Sequence, residues 1–159
     1  MLYPLVILFV IAADQATKAL IMLSFAPYES RPVIDGFFNL VYVTNTGAAF
    51  SFLAGSGAWG HWFFVVVALL AVIGFTLGWW LWARDKRLLT VAMALIVGGA
   101  VGNLIDRLRF GAVVDFLDVL LGSYHWPAFN VADSCICVGA FLYIVAAMLI
   151  DRQPKEEKI

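Results

Sequence analysis

Charged residues are scarce in this sequence, and it contains no block of basic residues. Only 13% of its 159 residues are charged and the net charge is −1, so the chain lacks the basic surface that nucleic-acid binding requires. Its two cysteines, Cys135 and Cys137, stand two positions apart, a spacing that turns their side chains to different sides of a helix. We therefore expect no nucleic-acid partner, no disulfide and no cysteine metal site.

Motifs for metal-dependent or nucleophilic catalysis are also missing. Neither His61 nor His125 lies in a metal-ligand motif, and no Gly-x-Ser-x-Gly sequence is present. We expect no metal ion and no other cofactor. Any reaction site would then depend on acidic and amide side chains.

Apolar residues dominate instead. They make up 64% of the chain, well above the roughly 45–50% of a soluble domain, and the mean hydropathy is +0.94. Four apolar runs, about residues 2–25, 61–82, 88–108 and 131–150, are each long enough to cross a bilayer as a helix. The first run has no basic residue before it and no clear cleavage site after it, so we expect it to be retained. The predicted fold is an all-α membrane protein with four transmembrane helices, a single domain over residues 1–159.

The distribution of basic residues predicts the orientation. Six of the ten lie in residues 84–87 and 152–158, so the positive-inside rule places both termini in the cytoplasm and residues 26–60 outside. Within 26–60, an Asp35-Gly36 turn signal stands among aromatic and β-branched residues. This pattern predicts a small extracytoplasmic β-rich segment between helices 1 and 2.

Several polar residues lie where hydrocarbon disfavours them, at a cost of about 2.5–3.5 kcal/mol for each central charge. Asp14 and Lys18 are four apart on one helical face. They are either a neutralised pair that lets the helix insert or a pair that fixes the geometry of a nearby site. Asn103 and Arg107 share a face in the same way, whereas an isolated arginine near a helix end would simply extend to the head groups.

Two further aspartates fall at the outer edge of the bilayer. Asp115 lies among apolar neighbours in residues 113–116, either as a loop carboxylate or as an acid whose pKa is raised by desolvation. Asp133 follows Asn130 by three residues at the start of the fourth span, a pattern that helix capping alone also explains. Two carboxylates within hydrogen-bond reach share a proton, so one is a base towards water and the other an acid towards an amide. The pair predicts amide hydrolysis.

Five short motifs follow one another along nearly the whole chain. They read Asp14-Gln-x-Thr-Lys18, Asn45-Thr-Gly-Ala-Ala-Phe-Ser51, Gly102-Asn-Leu-Ile-Asp-Arg107, Val113-Val-Asp-Phe116 and Phe129-Asn-Val-Ala-Asp133. Together they resemble the motif series of bacterial lipoprotein signal peptidase, the signal peptidase II family. Any one motif is weakly specific, but the whole series in this order is strongly so.

The resemblance implies an aspartic endopeptidase of the bacterial cytoplasmic (inner) membrane. Such an enzyme removes the signal peptide from diacylglyceryl-modified prolipoproteins, cutting just before the lipidated cysteine. Asp115 and Asp133 match the catalytic pair. The matching supporting positions are Asp14, Lys18, Asn45, Gly99, Asn103, Arg107 and Asn130. The implied partners are prolipoprotein signal peptides and membrane lipid. We expect a monomer whose apolar segment Ile34–Phe52 closes over the substrate.

Two other classes of protein remain open. Intramembrane Asp, Lys and Arg also build the relays of ion-coupled transporters, although no internal repeat is visible here. A non-enzymatic assembly factor would use the same residues only to fasten its helices together. Replacing Asp115 or Asp133 by asparagine separates the three classes.

Overall fold

The computed structural model describes residues 1–47, 57–122 and 124–151. Its helices are α1 (Leu2–Ser24), α2 (Gly57–Gly78), α3 (Arg87–Phe110) and α4 (Val131–Asp151), and its strands are β1 (Ser30–Ile34), β2 (Phe38–Asn45), β3 (Val113–Leu121) and β4 (Tyr124–His125). A π-helical turn, Trp79–Ala83, extends α2. The four predicted spans are confirmed as helices long and apolar enough to cross a membrane, with α2 beginning at Gly57 instead of His61.

Helix α3 is the centre of the bundle and packs against α1, α2 and α4. It approaches its neighbours closely because it presents glycines to them. A Cβ atom at Gly98 would lie 2.8 Å from Val10 Cβ in α1, and one at Gly99 would overlap the Ala132 carbonyl oxygen in α4. Membrane helices depend on such close packing, since lipid supplies no hydrophobic drive for helix association.

The strands form an antiparallel sheet in the order β1-β2-β3-β4. Strands β1 and β2 are the hairpin predicted between the first two spans, and Gly36 in its turn has a φ of +72°, which glycine adopts without strain. The sheet is larger than predicted, because β3 follows α3 and pairs with β2. Most of β3 is buried, so its sequence is apolar except for Asp115 and Asp118 and lacks the alternation that marks a half-buried strand.

The sheet lies at the end of the bundle where α1 and α3 end and α4 begins. Residues that follow α3 and precede α4 are thereby brought together. Two predicted features fall partly or wholly outside the described residues: the segment Ile34–Phe52 is described only as far as residue 47, and the basic stretch 152–158 lies outside.

Candidate active site

Asp115 lies in β3 opposite Val43 of β2 and is 3% exposed. Its Oδ2 accepts a hydrogen bond from Asn45 Nδ2 over 3.3 Å, and its Oδ1 accepts one from Asn130 Nδ2 over 2.7 Å. Burial, followed by the nearby charge of Asp133, raises the pKa of Asp115 to about 7. Asp115 is thus a strand residue and not a loop carboxylate, and its burial favours the protonated form.

Asp133 stands in the first turn of α4 and is partly buried. Its Oδ1 accepts a hydrogen bond from Asn103 Nδ2 over 2.7 Å. Its backbone N–H donates to Asn130 Oδ1 over 2.8 Å, which is the N-cap bond that the spacing predicts. The carboxylate is thereby presented beside α3 instead of being used as a cap.

Asn130 connects the two aspartates and is completely buried. Its amide nitrogen faces Asp115 Oδ1, the Val114 carbonyl oxygen and Asn103 Oδ1, at 2.7, 3.2 and 3.3 Å. Its amide oxygen accepts from Asp133 N. Because Val114 O only accepts and Asp133 N only donates, these two backbone groups fix the orientation of the amide. Capping is therefore one of two functions of this side chain, since it also donates to the carboxylate of Asp115.

Lys18 lies beneath this cluster and is 1% exposed. Its Nζ is 2.9 Å from Asp14 Oδ2 and 2.7 Å from Asp106 Oδ2, and it donates to Asn103 Oδ1 over 2.9 Å. A lysine only donates, so it fixes Asn103 with its nitrogen towards Asp133. Asp14 and Lys18 are therefore more than an isolated neutralised pair, because they share a hydrogen-bond network with Asp133.

Sequence reasoning missed Asp106 and Gln15 as members of this network. Asp106 Oδ1 accepts from Gln15 Nε2 over 2.8 Å, in addition to its contact with Lys18. A signal was present, since Gly99, Asn103 and Asp106 fall at i, i+4 and i+7 and so share one face of α3.

Arg107 lies on the other side of the aspartates. Its Nη2 donates to the Gly47 carbonyl oxygen over 3.2 Å, and its guanidinium carbon is 5.1 Å from the centre of the Phe64 ring in α2. Arg107 therefore joins α3 to the segment after β2 and does not extend freely to lipid head groups. Gly99 supports the site indirectly, through its contact with Ala132 next to Asp133.

A cavity of about 510 Å³ opens beside the two carboxylates. Asp115, Asp133, Asn103 and Arg107 line its polar end. Apolar side chains of three helices line the rest: Val67, Ala68 and Ala71 of α2, Ile96 and Ala100 of α3, and Ile136 of α4. Residues 126–129, before α4, line it as well. The cavity thus brings two acidic groups to the end of an apolar crevice.

The helices close again further along the crevice. There Phe75 of α2 and Tyr143 of α4 meet edge to face, with ring centroids 6.0 Å apart. Tyr143 lies ten residues beyond Asp133 on α4, which corresponds to about 15 Å of helix. The residues that line the cavity end before this contact, at Ala71 of α2, Ile96 of α3 and Cys137 of α4.

Metal ligands are not grouped in the part of the chain that the structure describes: no cluster of three or more His, Cys, Asp or Glu side chains is arranged to hold a metal ion there. His125 contacts Asp118 in β3, with Nδ1 2.9 Å from Asp118 Oδ1. Asn39 Nδ2 donates to the same carboxylate over 2.8 Å. This group belongs to the sheet and does not line the cavity.

The fold is shared with solved structures. One bacterial membrane enzyme solved at 2.3 Å superposes with a TM-score of 0.83 and 32% sequence identity, over 99% of this chain and 93% of that one. A second, solved at 1.9 Å, gives a TM-score of 0.78 with 34% identity over 92% of each chain. The fold is that of a multi-pass membrane enzyme.

Sequence comparisons identify which class of enzyme this is. The family model described as Signal peptidase (SPase) II matches residues 6–149. The lipoprotein signal peptidase of Cupriavidus taiwanensis is 55% identical over 139 residues, 87% of this chain and 77% of that protein. The lipoprotein signal peptidase of Geobacter sulfurreducens is 48% identical over 148 residues, 93% of this chain and 92% of that protein. The chain belongs to the signal peptidase II family and is an aspartic peptidase.

Proposed function

We propose that this chain removes the signal peptide from diacylglyceryl-modified prolipoproteins, cutting just before the lipidated cysteine, with Asp115 and Asp133 as its catalytic pair. The observation that carries the proposal is the shared cavity. Both carboxylates line this cavity, and much of its remaining lining consists of apolar side chains of the membrane-spanning helices α2, α3 and α4. A signal peptide is itself an apolar helix, and a diacylglyceryl group stays in lipid, so the bond to be cut is presented at this depth.

One aspartate acts as the general base and the other as the general acid. Ionised Asp133 takes a proton from water as the water oxygen attacks the scissile carbonyl carbon. Asp115, whose pKa lies near 7, carries a proton, hydrogen-bonds the carbonyl oxygen and later protonates the leaving amine. Asn103 and Asn130 hold the two carboxylates in place through the 2.7 Å bonds that they donate. Because the two carboxylates interact, a pH profile reports apparent pKa values of the pair.

Arg107 and the segment after β2 form the boundary of the substrate site. Asn45, Gly47 and Arg107 line the cavity, and Arg107 donates to the Gly47 carbonyl. Asn45 and Gly47 are the part of the segment Ile34–Phe52 that would contact the substrate first. The planar guanidinium has further donors with which to bind a substrate carbonyl.

The orientation follows from charge. Residues 84–87 connect the π-helical turn after α2 to α3 at the end of the bundle opposite the sheet, and they are rich in arginine and lysine. The positive-inside rule puts this connection and both termini in the cytoplasm and the sheet and cavity at the outer face of the inner membrane. The enzyme acts there as a monomer.

The direct test uses the purified full chain in detergent micelles with a diacylglyceryl-modified prolipoprotein. We expect a mobility shift on a gel, and mass spectrometry of the product should find the lipidated cysteine at its new N-terminus. The same precursor without the diacylglyceryl group serves as the control and should be cleaved much more slowly. If the folded protein leaves the lipidated precursor intact, the proposal is wrong.

The pKa of Asp115 predicts the alkaline limb of the pH profile. Above pH 7 Asp115 loses the proton that the mechanism needs, so kcat/KM should fall with an apparent midpoint near 7. The Asn45 hydrogen bond favours the ionised form of Asp115, so Asn45→Ala should raise the pKa and move this limb to higher pH. The measurement is kcat/KM for lipoprotein cleavage across the pH range.

Asn39→Ala is the matched control for that shift. Asn39 also lies on β2 and donates to a β3 aspartate, but the acceptor is Asp118, outside the cavity. Its alkaline limb should coincide with that of the parent. A limb that moves to lower pH in Asn45→Ala, or moves equally in both variants, would contradict the assignment of Asp115 as the acid.

A further inference from the structure

The residue before each catalytic aspartate has its backbone N–H bound by another, deeply buried carboxylate. Val114 N donates to Asp106 Oδ2 over 3.1 Å, and Ala132 N donates to Asp14 Oδ1 over 2.9 Å. Asp14 is 0% exposed and Asp106 is 1% exposed. The Ala132 N–H belongs to the first turn of α4, where backbone donors have no partner within the helix. Carboxylates on two different helices thus bind the backbone at corresponding positions, one residue before Asp115 and one residue before Asp133.

Lys18 and Gln15 join these two carboxylates to one another. Lys18 Nζ lies 2.9 Å from Asp14 Oδ2 and 2.7 Å from Asp106 Oδ2. Its bond to Asn103 uses the remaining donor of the ammonium group, so no rotational freedom is left at the nitrogen. Gln15 Nε2 adds a parallel connection, 2.8 Å to Asp106 Oδ1 and 3.3 Å to Asp14 Oδ2.

We infer that Asp14, Lys18 and Asp106 are positioning residues that set the separation of Asp115 and Asp133 through the backbone of Val114 and Ala132. The inference rests on the proposed function, in which these two aspartates act as a pair. Carboxylates bonded to peptide N–H groups locate the strand and the helix directly, whereas contacts between flexible side chains would leave both free to shift.

Charge neutralisation alone does not account for the group. One lysine needs one counter-charge to enter a membrane, and a second buried carboxylate is unfavourable unless it has further partners. Asp106 has such a partner in Val114 N. The second carboxylate is therefore explained by its backbone contact, and its placement matters as well as its charge.

The most direct test removes one hydrogen bond and leaves every side chain in place. Replacing valine 114 by its α-hydroxy acid converts the peptide N–H to an ester oxygen. We expect kcat to fall at least about tenfold and KM to stay within about twofold, because a displaced catalytic group impairs chemistry more than binding. The control is the same ester at Leu120, whose N–H donates to Phe37 O over 2.7 Å in the same sheet.

The possible results distinguish failure of the inference from failure of the proposed function. If the parent cleaves and the two ester variants lose kcat equally, or the Val114 ester keeps full kcat, the inference is wrong and the proposed function stands. If the folded parent itself does not cleave, the proposed function fails and the inference with it. Thermal melting in detergent checks that each protein is folded.

Asp106→Glu provides a second test should the ester at 114 prevent folding. Glutamate keeps the charge beside Lys18 but moves the carboxylate by one methylene. Positioning predicts a loss of about 100-fold in kcat with KM little changed, as for a displacement near 1 Å. If only charge matters, Asp106→Glu retains parental kcat, and that result overturns the inference.

Discussion

Asp133→Asn is expected to lower kcat by on the order of 10³-fold while substrate affinity stays close to that of the parent. The fold should persist, because asparagine has the shape of aspartate and its amide oxygen can still accept the hydrogen bond from Asn103. What disappears is the base that takes a proton from water. The measurement is single-turnover cleavage of the lipidated precursor, with substrate binding recorded on the same preparation.

Asp115→Asn is expected to have a similar effect for a different reason. Its amide cannot pass a proton to the leaving amine, although Asn130 can still donate to its oxygen. Because the two aspartates act as a unit, the double variant should be about as slow as either single one. A double variant slower by the product of the single effects would indicate that the residues act independently.

Asp118→Asn is the matched control for both substitutions. Asp118 is a buried β3 aspartate that contacts His125 and Asn39. We expect it to retain kcat within about twofold, since its contacts with His125 and Asn39 do not line the cavity that holds the reacting atoms. Loss of folded protein in the Asp133 and Asp115 variants would support an assembly role. Ion flux without any cleavage by the parent would support a transporter.

The sequence allowed the spans and the first hairpin to be predicted, for clear physical reasons. A backbone in hydrocarbon must satisfy its own hydrogen bonds, so long apolar runs become helices. Asp35-Gly36 supplies a residue that tolerates a positive φ, which favours a tight hairpin. The pairing of β2 with β3 could not be predicted in this way, because strand partners far apart in the sequence, such as Val43 and Asp115, leave no local pattern.

The hydrogen-bond network beneath Asp115 and Asp133 could be predicted only in part from local sequence patterns. Asp14 and Lys18 could be paired from their spacing on one helix. Their meeting with Asp106 depends on how α1 packs on α3, and glycines permit that packing: a Cβ at Gly102 would lie 2.7 Å from Asp14 Oδ2. A hydrogen bond that a side chain accepts from the backbone of another element, such as the one that Val114 N donates to Asp106, depends on the tertiary fold.

Gly99→Ala is expected to disrupt both stability and catalysis. The added Cβ would overlap the Ala132 carbonyl oxygen and lie 2.7 Å from Ile136 Cγ1, so α4 must move away from α3. Such overpacking typically destabilises a protein by about 1–3 kcal/mol. Moving α4 also displaces Asp133, the residue after Ala132, relative to Asp115, and a shift near 1 Å lowers kcat by about 100-fold.

Gly74→Ala is the control that distinguishes this contact from a general effect of changing a glycine in a membrane helix. Gly74 lies within α2, and a Cβ there would have no described atom within 4 Å. We expect this variant to melt in detergent at or above the parental temperature and to cleave at the parental rate, because alanine favours the helix more than glycine does. Equal losses in the two variants would show that the α3–α4 contact has no special importance. We expect a loss in Gly99→Ala alone, with a fall in kcat larger than the loss of folded protein accounts for. That result would mean that the close approach of α3 and α4 holds Asp133 in position for catalysis.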